Sequence, residues 1–102
     1  MANAVIALVD DLMDRSRVTA ALPGVRFARS VAEVAGADVV IVDLARHAGH
    51  VRAVREQFPD ARIVAFGPHV DEDAASRARL DGADLVLPRS RFFQDPAAAA
   101  NP

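Results

Sequence analysis

Two stretches of the chain are apolar without interruption. Ala4-Val5-Ile6-Ala7-Leu8-Val9 runs into Asp10-Asp11, and Val39-Val40-Ile41-Val42 runs into Asp43. A strand with one wet face alternates apolar and polar residues, so these unbroken runs predict strands buried on both faces of a parallel sheet. Val25-Arg26-Phe27-Ala28-Arg29 does alternate and predicts an edge strand. Arg62-Ile63-Val64-Ala65-Phe66 and Ala83-Asp84-Leu85-Val86-Leu87 predict the fourth and fifth strands.

Helical patterns fill the intervals. Leu12 to Leu22, capped by Asp11, has a partial apolar stripe of Leu12, Val18 and Leu22 and stops at Pro23-Gly24. Ser30 with Glu33 reads as a capping box for a short helix from Val31 to Ala35, ended by Gly36. Val51, Val54, Arg55 and Phe58 mark a helix over 48–58. Asp71-Glu72-Asp73 puts acids in the first turn of a helix that ends near Asp81-Gly82. Beyond Pro88, at most a turn or two of helix is expected, and 94–102 reads as a frayed tail. Five βα alternations with short loops predict a single α/β domain over 1–102. Its five-stranded parallel sheet should have right-handed crossovers and a last helix that is short or missing.

Composition narrows the chemistry. All 12 basic residues are arginine and there is no cysteine. Lysine chemistry, disulfides, thiolate catalysis and Cys-ligated zinc are therefore excluded. The net charge of −2 comes from interspersed acids and arginines, not the one-sided basic surface of a nucleic-acid binder. No run approaches the roughly 20 apolar residues of a membrane span, and the N-terminus lacks a signal-peptide pattern. A cytoplasmic protein with neither nucleic-acid nor membrane partners is expected.

In open parallel sheets, ligands bind beyond the carboxyl ends of the strands. Asp10, Asp11 and Asp43 end two strands that both read as central, so they are expected to share one basin. Clustered carboxylates favour a hard cation such as Mg2+ among them. The blander account is that an acid after a strand caps the next helix, as Asp11 can. His47 and His50 lie one turn apart near Asp43, and His69 follows the fourth strand. Together they form a candidate zinc set, although solvated loop histidines are the commoner outcome.

The order Val9-Asp10-Asp11, Val40-Ile41-Val42-Asp43 and Arg79-Leu80-Asp81-Gly82-Ala83-Asp84-Leu85-Val86-Leu87 resembles the receiver domain of bacterial two-component response regulators, over about 4–93. The resemblance implies a flavodoxin-like sheet of order 2-1-3-4-5. It implies Mg2+ at Asp10, Asp11 and Asp43, with Asp43 as phosphoacceptor and a histidine kinase upstream. Two departures accompany it. The family's switch hydroxyl falls at Gly67, which has none, and its lysine position holds Arg89, whose planar head does not reproduce a point cation.

The expected function is that of a stand-alone receiver-like signalling domain, not an enzyme, acting through protein–protein contact. Its partner would be another protein or a second copy, meeting the sheet face left open by the short C-terminus. A small Mg-dependent phosphatase-like enzyme is the alternative, weakened because adjacent Asp10 and Asp11 point in different directions. A ligand-free structural or oligomerisation domain is the third.

Overall fold

In the computed structural model, residues 4–68 and 72–101 are described. Strands β1 (Val5–Leu8), β2 (Arg26–Phe27), β3 (Val39–Asp43), β4 (Arg62–Gly67) and β5 (Leu85–Pro88) form one sheet. The order is β2-β1-β3-β4-β5, and every pairing is parallel. All residues of β1 and β3 are buried, as their uninterrupted apolar runs predict. β2 pairs only with β1 and lies at an edge.

Successive strand residues point to opposite faces, which divides the core in two. One face carries Ile6, Leu8, Val40, Val42, Ile63 and Ala65, covered by Val51 and Val54 of α3 (Val51–Gln57) and Ala78 of α4 (Glu72–Asp81). The other carries Ala7, Val9, Ile41, Val64 and Phe66. Its cover is Val18 of α1 (Leu12–Ala21) together with the C-terminal segment.

That segment departs from expectation. It forms α5 (Arg89–Gln94) and α6 (Pro96–Ala100), with Asp95 capping α6 through the Ala98 amide. Phe92, Pro96, Ala99 and Ala100 are buried. The tail expected to fray is docked over residues 96–100, and the sheet face expected to stand open is closed. Small alanines allow close approach where no long amphipathic helix is present.

Three helix expectations also shift. Leu12 is 78% exposed, because the inward stripe of α1 is Asp14 and Val18, four residues apart on one face. The chain turns helical at once after β3, in α2 (Leu44–His47) followed by a 3-10 turn at Ala48–His50, so helical structure starts four residues before Ala48. Residues Val31–Val34 form a 3-10 turn in which Ser30 gives no side-chain cap. Its hydroxyl instead donates to the Glu33 carboxylate, at 3.3 Å.

At the opposite end of the sheet, Arg55 fastens the α4–β5 loop. Its guanidinium donates to the carbonyls of Gly82, Pro59 and Ala61 and to the Asp84 carboxylate. Gly82 has φ +118°, and a Cβ there would lie 2.6 Å from Arg55 Cγ, so both conformation and space require glycine.

Candidate site at the carboxyl edge of the sheet

β1 and β3 are adjacent, with Leu8 opposite Val42, so Asp10, Asp11 and Asp43 leave the sheet at one edge. Each carboxylate then takes a separate partner. Asp10 accepts from His47 Nε2 at 3.1 Å. Asp11 caps α1 through the Asp14 amide at 2.9 Å. Asp43, 4% exposed, caps α2 through the Ala45 amide at 3.0 Å.

The sequence offered no chemical role for Asp14, yet it is the best-paired acid of this edge. It is buried on the inward stripe of α1, and Arg89 grips it with both terminal nitrogens, at 3.0 and 2.8 Å. The planar fork of arginine matches a carboxylate in this way, and lysine does not. The guanidinium also lies 5.6 Å from the ring centroid of Phe66 and 5.2 Å from that of Phe93. The available signal was positional: Asp14 stands four residues before Val18, where an apolar residue belongs.

The electrostatics divide the edge into two groups. Arg89 is held more firmly as a cation by its hydrogen bonds to Asp14, and it also feels Asp43 and Asp11. Asp10 is held below the ordinary carboxylate range chiefly by the His47 hydrogen bond, with Arg15 and Arg46 adding to it. Asp43 is pushed up by burial, against the Ala45 hydrogen bond and the attraction of Arg89.

Among the described residues, no three acids or histidines stand close enough to hold a metal ion. Asp10, Asp11 and Asp43 are turned to three different partners. Like charges at the edge are instead relieved by Arg89 and by the His47 hydrogen bond. His47 is buried beside Asp10 and its Nδ1 lies 3.0 Å from His50 Nδ1, whereas His69 is outside the described residues. Gly67 ends β4 opposite Pro88. A Cβ at Gly67 would lie 3.3 Å from Leu44 Cβ, so Leu44 takes up much of the room beside that position.

Asp43→Asn is expected to stabilise the fold by about 0.5–1 kcal/mol at pH 7, because it removes a desolvated charge and keeps the cap acceptor. A folded pKa above the ordinary 3.8 means that the folded state binds protons more tightly, so ionised Asp43 detracts from stability as pH rises through that window. The gain should therefore shrink as pH falls toward 3.8. Urea denaturation across this range measures it.

A parallel doubly wound sheet of order 2-1-3-4-5 defines the flavodoxin-like class of α/β domains. No family model matches the chain, and no curated protein matches it in sequence. Solved structures do. A response regulator from Burkholderia pseudomallei, with a phosphorylated aspartic acid, calcium ion and citrate, matches at TM-score 0.83 and 19% identity, over 98% of this chain and 67% of that one. A response regulator receiver domain protein from Clostridium thermocellum matches at TM-score 0.81 and 22% identity, over 98% and 92%. A response regulator from Thermotoga maritima matches at TM-score 0.76 and 18% identity, over 100% of both chains. The chain has the fold of response regulator receiver domains.

Proposed function

We propose that this chain is a receiver-like signalling domain that acts through protein–protein contact, with its acidic edge neutralised by its own cations. The observation that carries the reading is the fork between Arg89 and buried Asp14, made beside Asp43. The Asp10–His47 contact supports it, because it draws a second acid away from the group that a Mg2+ ion would need. Gly67 offers no hydroxyl to sense a modified Asp43. The domain therefore presents its binding surface without a phosphorylation cycle and acts as a signalling module rather than an enzyme; among the described residues, each acid ending β1 and β3 has its own partner.

The second reading is a Mg-dependent phosphoacceptor at Asp43 served by a histidine kinase. It is favoured by the position of Asp43 at the end of β3 and by the phosphorylated aspartic acid of the Burkholderia structure. Amide NMR with Mg2+ and beryllofluoride separates the two. The spectrum is expected to remain unchanged. Shifts around Asp43 that vanish in Asp43→Asn would overturn the proposal and establish the phosphoacceptor.

A further inference from the structure

The Asp10–His47–His50 chain stands apart from the Arg89 cluster, and the function proposed above uses only its Asp10–His47 contact. His47 Nε2 lies 3.1 Å from Asp10 Oδ1. The Asp10 carboxylate has only acceptor atoms, so His47 Nε2 carries the proton, and the neutral ring then presents a bare lone pair at Nδ1. That lone pair is aimed at a second ring nitrogen, Nδ1 of His50, 3.0 Å away. The rings are tilted by 37°, with centroids 5.1 Å apart.

We infer that His47 and His50 form a binding site for a zinc-class transition-metal ion, held between their two Nδ1 atoms and oriented by Asp10. With metal–nitrogen bonds of about 2.05 Å, the observed separation corresponds to an angle of about 94° at the ion, and a parting of the two nitrogens by about 0.3 Å gives the tetrahedral angle of zinc. A carboxylate on the far nitrogen of a ligating imidazole is the usual outer support of such sites; it fixes the tautomer and increases the basicity of the ligand. The backbone keeps the two rings close, because His47 ends α2 and His50 ends the 3-10 turn that follows it directly.

Imidazole nitrogen selects zinc, nickel or copper over magnesium. His50 is only partly buried, and an open cleft lined by Asp10, Leu12, Arg15, Arg29 and His47 reaches the His47 side, so both rings border solvent. Two protein ligands leave the remaining positions to water or to a side chain of a partner. Without metal, the same contact is satisfied by the His50 Nδ1 proton donated to His47, and metal binding requires the other His50 tautomer, with that proton moved to Nε2 through solvent.

Zinc chloride titrated into the untagged full chain at pH 7.5 tests this by calorimetry and by long-range proton–nitrogen NMR of the imidazoles. The expected result is submillimolar one-to-one binding that moves the Nδ1 resonances of both rings and that excess Mg2+ does not displace. His50→Ala, at a partly exposed position, should fold normally and lose at least about tenfold in affinity, and Asp10→Asn should lose about tenfold. Absence of binding at millimolar zinc would overturn the inference, leaving an ordinary imidazole hydrogen bond. Undiminished binding in His50→Ala would also overturn it, because the ion would then be held elsewhere.

Discussion

Phe92→Ala is expected to destabilise the protein by about 3–5 kcal/mol, a large share of what a domain of this size possesses. The ring is fully buried and stacks on Phe66 at 4.7 Å with an interplanar angle of 15°. Phe93 meets both rings edge-on, at 5.1 Å from Phe66 and 5.0 Å from Phe92. Truncation removes the contact area of the ring and leaves a cavity against Phe66 of β4 that the rigid sheet cannot collapse to fill. α5 has only six residues, so it has little helical stability of its own and depends on this anchor. Its loss should also loosen α6 and expose the apolar face around Val64 and Phe66, which increased binding of a hydrophobic dye would report. Phe93→Ala, at a partly exposed position, is the control and should cost clearly less. If urea denaturation gave Phe92→Ala a cost below about 1 kcal/mol, the segment could not be the structural cover of this face.

How far such features can be read in the sequence depends on how far apart their parts lie along the chain. The sheet was legible because β1, β3 and β4 are each written as continuous runs of buried residues, and the edge strand as an alternation. The caps at Asp11 and Asp43 follow from local rules, since an acid beside the first free amides of a helix acts over two or three residues. The cover by α5 and α6 was not legible. Pro96 followed by alanines has no periodicity to show which residues turn inward, and their burial is decided by the sheet face they meet. Asp14 was hidden for a related reason. Its partner Arg89 is 75 residues away, and a carboxylate on an apolar stripe makes sense only once that partner is known. Sequence reasoning grouped Asp10, Asp11 and Asp43 because their strands are neighbours. It could not show that His47 and two backbone amides would draw the three side chains to different partners.

Arg89→Ala is expected to destabilise the fold by about 2–3 kcal/mol, and Asp14→Asn by about 1 kcal/mol or less. Breaking a buried ion pair costs about 3–5 kcal/mol when the charge left behind stays dry. Here the two sides differ. The Asp14 side chain is 6% exposed, whereas that of Arg89 is 41% exposed and already touches water. Solvent screening on the arginine side lowers the figure for losing Arg89, and rehydration lowers that for losing Asp14 much further. The double variant Asp14→Ala with Arg89→Ala should accordingly be more stable than Arg89→Ala alone, because the stranded charge is gone. Arg89→Lys should fall between, since an ammonium keeps the charge but loses the fork and the stacking over Phe66 and Phe93. The same experiment tests the proposal that Arg89 neutralises the acidic edge. If it does, its removal leaves Asp14 uncompensated near Asp43 and Asp11, and millimolar Mg2+ should then raise the Tm of Arg89→Ala while leaving the parent unchanged. Equal costs for the two single variants, with no rescue by Mg2+, would show that the arginine packs against the rings without neutralising the edge.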